Sequence, residues 1–540
     1  MKKKVIALVL VMCMVLALCA CAGGGDKAQS DSGKPADSDA PASAQDGGAA
    51  KPDGAAADGT QKTKDNLVVG MAAEITSFDT TTNTGSSIAG IVIDLVMDTL
   101  FFYDDTTGQI LPRLATEWEY EDELHFNITL RDDVFFANGE KMTADDVIYT
   151  INRLSKAPMM AANFMSFDLP NCTAIDDTHV QFVLKEPFAP MLKLFSNFTT
   201  AIVCSSYVEA QGDNYGTNPM GSGPFEVSRW VSGEGITLTL RDDYWGEKPA
   251  FSTVEFRFLG ENSTRFMELQ TGGVDLIDTP STSDIDSVLS GSVSGIEIVM
   301  NHGYDHVCWC FNQDDPVFQD KNVREAMAHA INYERLVELV YGSAGTVPTS
   351  TLGEEMFGYK NVGCYSYDPD LSRRLLTDAG YADGLSVSCT VPSDGMYAQL
   401  AEICQAMFSE VGITLDIHVV DHGTAFAAYM NGEATMGFME LKATMSDPSK
   451  IYDPLRMHGA MRLAATHDEQ LEQWMAEGLT TTDEAARRAL YENIQQSIFD
   501  NVYMIPVADY AATFAVADYV EGFVGTATML PNLRNITFTK

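Results

Sequence analysis

The sequence predicts an α/β protein built from two lobes. The chain has 540 residues, of which 45% are hydrophobic, which is enough to bury two or three separate cores. Helix and strand signals alternate along it without a repeat, and the earlier half is the richer in strands. Because pockets form readily where lobes meet, we expect a ligand site between them.

The first 20 residues have the pattern of a secretory signal. Three lysines precede the apolar run from Val5 to Leu18, which is shorter than the about 20 residues that a membrane span needs. The run ends in Leu18-Cys19-Ala20-Cys21, which resembles a bacterial lipobox, with cleavage before Cys21 and a lipid on its sulfur. Two alternatives stay open, lipidation at Cys19 or an ordinary signal peptide cut near Ala22.

Residues 22–64 predict a disordered tether. They contain no aromatic and no branched aliphatic residue, so they cannot form a core. A flexible coil of this length spans on the order of 35 Å. We therefore expect an extracytoplasmic protein, anchored to the cell membrane by the lipid on Cys21, whose folded part begins near Asn66.

Charge and cysteine content argue against a nucleic-acid-binding protein and against a disulfide-stabilised one. Asp and Glu number 76 against 34 Lys and Arg, a formal charge of −42, and no basic stripe is present that could bind nucleic acid. Seven cysteines, an odd number, follow Cys21, and their spacing indicates no disulfide framework. The pair Cys308 and Cys310 is interpreted as small hydrophobic residues on one face of a strand.

Helix boundaries are readable in both halves of the chain. Thr143-Ala144-Asp145-Asp146 predicts a helix that starts with a capping box. Asp368-Pro369 predicts a helix start and Gly380 its end. Residues 400–411 have apolar positions at helical spacing, and residues 413–419 alternate as in a strand. The segment from about 320 to 440 therefore predicts an α/β lobe.

Strand signals dominate the earlier half. Runs with alternating apolar residues are bounded by polar turn residues at 126–130, 180–184, 236–240 and 254–258. These runs predict a second lobe of mixed structure.

Several strings, taken in order, resemble the peptide and nickel family of extracellular solute-binding proteins (family 5) that serve ABC importers. The resemblance runs from about Leu67 to near the C-terminus. The strings are Ile93–Tyr103, Leu111–Trp118, Leu130–Glu140, Thr143–Val147, Gly221–Phe225, Trp230, Tyr244–Trp245, Asn322–Met327, Tyr367–Pro369 and Leu375–Tyr381.

The resemblance implies a periplasmic-binding-protein-like fold (type II, cluster C), a flytrap of two lobes with an extra N-terminal subdomain. The implied division is signal peptide 1–20, lipidated Cys and tether 21–64, lobe I with the extra subdomain 65–303, lobe II 304–507 and a return to lobe I over 508–540. Most of the shared strings look structural. Gly221 and Gly223, for example, are expected to form a tight turn with positive φ.

The resemblance also identifies a ligand loop, Leu441 to Pro448. Peptide-binding members carry a Trp and an Asp where this sequence has Leu441 and Thr444, and the Asp pairs with the α-ammonium group of the peptide. Dipeptide-binding members also tend to carry an Arg in the loop that here reads Val391 to Gly395, which has no cation. A hydroxyl at position 444 cannot replace the charge of the Asp, so we do not expect an ordinary zwitterionic dipeptide to be held by this Asp and Arg. The candidate ligand-binding residues are Thr444, Leu441, Asp447, Glu440, Asp394, Trp309 and Phe78.

Capture of a ligand is favoured over catalysis. Common hydrolase and nucleotide-binding motifs are absent from the sequence, and its paired Asp residues fall at turns and helix starts. The resemblance implies a monomeric receptor, without cofactor, that delivers a peptide or peptide-like compound to permease subunits. Nickel or a metal chelate is the alternative, since histidines lie four residues apart at 302 and 306 and at 418 and 422.

Overall fold

The computed structural model describes residues 64–82, 87–158, 160–393, 395–442, 445–457, 459, 461–526, 528 and 530–539. All of them lie within one compact unit, Gln61–Lys540. The predicted signal segment, Cys21 and the tether up to residue 63 lie outside the described residues. The first strand begins at Asn66, as the sequence predicts.

The strands are β1 (Asn66–Met71), β2 (Phe101–Asp104), β3 (Gln109–Pro112), β4 (Ala115–Asp122), β5 (His125–Leu130), β6 (Thr173–Ala174), β7 (His179–Val183), β8 (Phe225–Val231), β9 (Gly235–Leu240), β10 (Thr253–Phe258), β11 (Leu276–Asp278), β12 (Ile296–Phe311), β13 (Gly345–Thr346), β14 (Leu385–Pro392), β15 (Ile413–Val420), β16 (Met436–Leu441), β17 (Met504–Ala517), β18 (Val520–Glu521) and β19 (Thr537–Phe538).

The helices are α1 (Ser87–Val96), α2 (Ala144–Leu154), α3 (Met191–Leu194), α4 (Ser205–Gln211), α5 (Asn262–Thr271), α6 (Thr282–Leu289), α7 (Pro316–Gln319), α8 (Lys321–Ala330), α9 (Tyr333–Tyr341), α10 (Pro369–Asp378), α11 (Tyr397–Glu410), α12 (His422–Asn431), α13 (Pro448–Ile451), α14 (Glu469–Thr480) and α15 (Glu484–Asn501). Within the described part of the chain, no helix is both long and apolar enough to cross a membrane.

The largest sheet joins the two halves of the fold. Its strand order is β16-β12-β17-β11-β1-β10-β9-β8, and β13 pairs with β17. Strand β1 runs parallel to β10 and β11, and the other pairs are antiparallel. The sheet is therefore mixed, with both parallel and antiparallel pairs.

The two longest strands, β12 and β17, pass from one hydrophobic core to another. Ile296 and Phe514 belong to the first core, whereas Val307 and Val507 belong to the second. The pairing of the two strands shifts register between His302 and His306. The change of core thus falls in the middle of a single pair of strands.

A smaller sheet and helix α2 form an additional core in the N-terminal half. The sheet has the order β4-β5-β7-β6, and its inward residues are fully buried beside α2. At the start of α2 the Asp146 Oδ2 accepts from the Thr143 amide at 3.0 Å, so the predicted capping box is confirmed. This unit corresponds to the extra N-terminal subdomain that the resemblance implies.

The second core confirms the predicted α/β segment. Asp368 caps the start of helix α10, and its Oδ1 accepts from the Leu371 amide at 2.8 Å. The helix ends just before Gly380, where φ is +92°. Helix α11 packs on the parallel strands β14 and β15.

Gly221 and Gly223 are needed for close packing and not for a left-handed turn. Neither is among the positive-φ glycines of the described residues, which corrects the sequence-based expectation. A Cβ at Gly221 would lie 2.2 Å from the carbonyl oxygen of Val96, and one at Gly223 would lie 2.5 Å from the Val96 carbonyl carbon. Only glycine lets this segment contact the end of α1 so closely.

The seven cysteines of the described region are free thiols. Cys308 and Cys310 are fully buried in an apolar cluster, and burial raises the pKa of Cys310 to about 12. Their interpretation as small hydrophobic residues is confirmed.

Candidate ligand-binding site

A cavity of about 700 Å³ lies between elements of the first and second cores. Its volume falls within the about 300–1,000 Å³ that small-molecule sites occupy. Elements around the first core contribute Ala72, Ile88, Ile91, Asp278, Thr279 and Phe514. The remaining lining residues come from the segment between Pro392 and Met461.

Aromatic side chains form much of the wall on the side of the second core. Helix α12 contributes Phe426 and Tyr429, which lie three residues apart and so share a face of the helix. The Tyr429 hydroxyl donates to the carbonyl of Thr390 at 2.7 Å, which fixes the position of its ring. Tyr397, at the start of α11, also lines the cavity. These rings offer apolar surface for the body of a ligand.

Two ion pairs place charges on the same wall. Glu440, in β16, pairs with Lys442 at 3.0 Å and accepts a hydrogen bond from the Tyr397 hydroxyl at 3.3 Å. Lys450 pairs with Asp453 at 3.1 Å. Each of these lining charges therefore has a partner of opposite sign.

The opposite wall ends at a strained residue. Strand β11 finishes at Asp278, and the next residue, Thr279, has a φ of +41°. Its amide donates to the Thr513 carbonyl at 3.0 Å, and its own carbonyl accepts from Arg265 at 3.0 Å. These two bonds hold a non-glycine residue in a conformation that costs about 1–3 kcal/mol, which is frequent at ligand sites.

Asp278 is the buried carboxylate of this wall, with 4% of its surface exposed. Its Oδ1 accepts from the Ala72 amide at 2.8 Å and lies 3.5 Å from the Arg265 Nε. Its Oδ2 is fully buried. Burial raises the pKa of Asp278 to about 6, although Arg265, nearby amides and the Thr279 hydroxyl act in the opposite direction.

The segment after β16 is fixed by a buried ion pair. Asp447 is 1% exposed, and the two terminal nitrogens of Arg487 donate to its oxygens at 2.8 and 3.0 Å. Burial opposes ionisation of Asp447, yet Arg487 outweighs it and holds the pKa of the carboxyl below its ordinary value. Two residues earlier, Met445 packs into the core of the N-terminal subdomain. The ligand loop thus connects the second core to the first lobe.

The structure brings two of the seven candidate ligand-binding residues to the cavity, Glu440 and Leu441. Thr444 and Asp394 lie outside the described residues. Asp447 is engaged by Arg487 and is not among the lining residues.

The two aromatic candidates lie inside hydrophobic cores and not on the cavity wall. Trp309 is fully buried in the second core and stacks on Phe438 with 3.7 Å between ring centroids. Phe78 is fully buried in the first core and packs edge-on against Trp230 at 5.4 Å. Both positions correspond to a structural role.

Sequence reasoning missed Asp278, Thr279 and the aromatic residues of α11 and α12. One signal was present in the sequence, the apolar pair Leu276 and Ile277 followed by Asp278, with Pro280 two residues later. A carboxylate at the end of a buried strand lies beside the loops at that end of the sheet, where ligands often bind. The sequence analysis predicts no strand at these residues.

The histidines of the metal alternative are dispersed. His306 contacts Asp509 and His418 contacts Asp416, while His422 lines the cavity. Among the residues that the structure describes, no three or more His, Cys, Asp and Glu side chains are grouped so that they could hold a metal ion.

Two lobes of α/β structure with a largely apolar cavity between them define a ligand-binding protein. Comparison with known proteins gives the family. Residues 109–461 match the bacterial extracellular solute-binding proteins, family 5, middle region, and the chain belongs to this family. The predicted two-lobed fold of periplasmic binding proteins is thereby confirmed.

Individual relatives differ in what they bind. The chain is 25% identical to the dipeptide-binding protein of Escherichia coli (strain K12) over 454 residues, which cover 77% of this chain and 84% of the relative. It is 22% identical to heme-binding protein A of Haemophilus influenzae over 462 residues, which cover 79% of this chain and 84% of the relative.

Two solved structures of similar fold hold ligands of different kinds. The periplasmic binding protein DppA from Helicobacter pylori, in complex with the peptide STSA, has a TM-score of 0.77 at 22% identity and covers 88% of this chain and 99% of its own. NikA from Brucella suis, in complex with Fe(III)-EDTA, has a TM-score of 0.79 at 22% identity and covers 88% of this chain and 100% of its own. These likenesses establish the fold and leave the ligand open.

Proposed function

We propose that this protein captures a peptide or peptide-like compound in the cavity between its lobes and delivers it to the permease subunits of an ABC importer. The cavity carries this proposal. Its volume of about 700 Å³, its aromatic walls and its charged groups on both sides suit a small organic solute with an apolar body and a few polar groups. The E. coli and H. pylori relatives, whose names refer to peptides, support the same class of ligand.

The remaining expectations from the sequence complete the proposal. The protein acts as a monomeric receptor without catalytic activity, held at the outer face of the cell membrane by the lipid on Cys21. Family membership supports the extracytoplasmic location. The sequence pattern at Leu18-Cys19-Ala20-Cys21 supports the lipid anchor.

Calorimetry with a peptide library tests the ligand site. The probe is an equimolar set of apolar tripeptide amides with free amino termini, titrated into wild type, Phe426→Ala and Phe135→Ala. Phe426 lines the cavity and is 46% exposed, whereas Phe135 is 42% exposed and lies elsewhere. Loss of a ring contact with the ligand should weaken binding about tenfold or more in Phe426→Ala, and Phe135→Ala should bind like wild type. Equal weakening in both variants would contradict the assignment of the cavity.

Metal analysis tests the alternative ligand. Nickel or a metal chelate is the second candidate from the sequence, and NikA of Brucella suis shows that this fold can bind such a complex. Plasma emission measurement on the purified protein, before and after incubation with nickel and with Fe(III)-EDTA, distinguishes the cases. Stoichiometric metal that Phe426→Ala loses would favour the chelate over the peptide.

A further inference from the structure

The loop that follows β16 contacts the N-terminal subdomain directly. Met445 lies in the core of that subdomain, and the carbonyl of Ser446 accepts a hydrogen bond from the Lys193 ammonium group, 253 positions away in the chain. Lys193 belongs to the short helix α3, whose Met191 and Leu194 are fully buried in the subdomain core. The bond therefore joins two parts of the fold that only tertiary structure brings together.

The backbone of the loop is strained where it meets Lys193. Ser446 is 3% exposed and has a φ of +53°, a region that residues other than glycine rarely adopt. The next residue, Asp447, is fixed by its two bonds to Arg487 in α15. The Arg487 guanidinium lies over the ring of Tyr491, which is buried in the apolar cluster beside the second core. The Lys193 bond thus connects the subdomain, through two adjacent loop residues, to an anchored ion pair.

A second hydrogen bond crosses the same contact. The Ala189 amide, two residues before α3, donates to the carbonyl of Leu479 in α14 at 2.8 Å. Leu471 and Met475 of α14 belong to the apolar cluster beside the second core, whereas Leu479 packs on the subdomain core. We call these two bonds, from Lys193 to Ser446 and from Ala189 to Leu479, the clasp.

The clasp lies beside the ligand cavity without forming its wall. Leu441 and Lys442, which precede the loop, and Lys450 and Ile451, which follow it, line the cavity. Lys193 is not among the lining residues. A displacement of the loop would therefore move two stretches of the wall, although a substitution of Lys193 removes no contact with a ligand.

An ordinary stabilising bond has both partners in one part of the fold. Lys185 gives an example, because its ammonium group donates to the carbonyl of Met165 at 3.0 Å and both residues are exposed on the N-terminal subdomain. Lys193 differs in its surroundings. Burial lowers the pKa of Lys193, while Asp447 on the other side of the contact favours its charged form.

We propose that Lys193 is a positioning residue, which holds the loop against the N-terminal subdomain and so keeps the cavity closed around its ligand. This inference rests on the proposed function and adds a residue that determines affinity from outside the cavity. A bond that is made only in the closed form raises the affinity for any ligand of that form, since it shifts the equilibrium toward closure. Strands β12 and β17 connect the two cores at another place, so the clasp is separate from the hinge.

Three variants test the effect on binding. Lys193→Met removes the bond, Lys193→Arg keeps a charged donor, and Lys185→Met removes the matched bond inside the subdomain. Calorimetry with the free-amine peptide library, the apolar tripeptide amides of the earlier experiment, should show about tenfold weaker binding by Lys193→Met. Lys193→Arg should recover most of the affinity, and Lys185→Met should bind like wild type.

Hydrogen exchange tests the clasp without any ligand. The Ala189 amide is bonded across the contact, so its exchange rate, measured by mass spectrometry on peptides that contain it, reports opening. This amide should exchange about tenfold faster in Lys193→Met than in wild type or Lys185→Met. An unchanged rate in Lys193→Met would overturn the inference.

The outcomes separate the two proposals. Equal library binding by wild type and Lys193→Met, or equal weakening in Lys193→Met and Lys185→Met, would overturn the role of Lys193 and leave peptide capture standing. A Lys193→Arg protein as weak as Lys193→Met would also contradict that role. If wild type binds no library peptide, the proposed function is contradicted, and the exchange rates decide whether Lys193 holds the loop. Unfolding curves of each variant, recorded alongside, show that the differences come from folded protein.

Discussion

Ionised Asp278 destabilises the folded protein because its carboxylate is buried. Its pKa of about 6 lies above the ordinary value of 3.8 because burial disfavours the charged form. The folded state therefore binds this proton more tightly than the unfolded state does. The stabilisation that this bound proton gives is complete below pH 3.8 and is lost as the pH rises through about 6.

Replacement of Asp278 by Asn should stabilise the ligand-free protein at neutral pH. A shift of about 2 pKa units corresponds to about 3 kcal/mol, an upper bound for the gain above pH 6. The gain should shrink toward zero near pH 4, where wild-type Asp278 is itself protonated. Urea unfolding of both proteins across this pH range measures the difference.

Asp275→Asn provides the control for this experiment. Its carboxylate is fully bonded, so the substitution should destabilise the protein at neutral pH. A similar loss of stability in Asp278→Asn at pH 7.5 would mean that Arg265 already satisfies the charge.

The ion pair of Asp447 and Arg487 should contribute strongly to stability. Replacement of Arg487 by Met leaves Asp447 buried and unpaired, which should lower the free energy of unfolding by about 3–5 kcal/mol. Arg488→Met is the matched control, because Arg488 is exposed and pairs only loosely with Glu484 at 3.5 Å. Its effect should stay within about 1 kcal/mol. Denaturant unfolding checks both, and equal effects would contradict the role of the buried pair.

At the residue scale the sequence indicated two residues of the cavity wall. Glu440 and Leu441 were found through the loop that resembles the family, and both line the cavity. Trp309 could not be assigned correctly, because both faces of β12 are buried around it. Val307 and Trp309 enter the second core, while Cys308 enters a neighbouring apolar cluster. Alternation between polar and apolar residues therefore gives no indication of which face meets a ligand.

Helices and strands with local chemical signals were the most predictable elements. The capping box of α2, the Asp-Pro start of α10 and the alternation of β15 each depend on residues within a few positions. Strand β11 has only three residues, which is too short for a period to be recognised. Its place beside β1 and β17 depends on residues far away in the chain.

The capping box of α2 also anchors a second helix. Asp146 accepts from the Thr143 amide through one oxygen and from the Ser205 amide and hydroxyl through the other, at 2.9 and 2.8 Å. Asp146→Ala removes bonds at the starts of both α2 and α4. It should cost about 1–4 kcal/mol, since each cap contributes about 0.5–2 kcal/mol.

Asp145→Ala is the matched control for the capping prediction. Asp145 occupies the same first turn but is exposed, so its removal should change the free energy of unfolding by less than about 1 kcal/mol. Thermal unfolding followed by circular dichroism compares the two. An Asp146→Ala protein as stable as Asp145→Ala would show that these bonds contribute little.

At the scale of the whole molecule, two cores share one pair of long strands. The exchange between cores lies inside β12 and β17, so the lobes are connected by paired strands and not by a loose linker. Such a connection permits bending without separation of the lobes, the hinge motion of two-lobed receptors.

Membrane attachment is predicted to depend on a single sulfur. Cys21→Ser should move the protein from the membrane fraction to the soluble fraction, because the lipid is its only expected anchor. Cys19→Ser is the control and should stay with the membrane. Fractionation followed by immunoblotting measures both, and membrane retention of Cys21→Ser with release of Cys19→Ser would assign the lipid to the competing position.

Native mass spectrometry of the purified protein tests most directly whether it holds a small organic solute between its lobes. Wild type, as purified or after incubation with the free-amine peptide library, should carry a noncovalent small-molecule adduct. Ala72→Trp, which places a large ring in the cavity that Ala72 lines, should lose that adduct. Spectra that show only the bare polypeptide for wild type under both conditions, or an adduct that Ala72→Trp retains, would contradict the account.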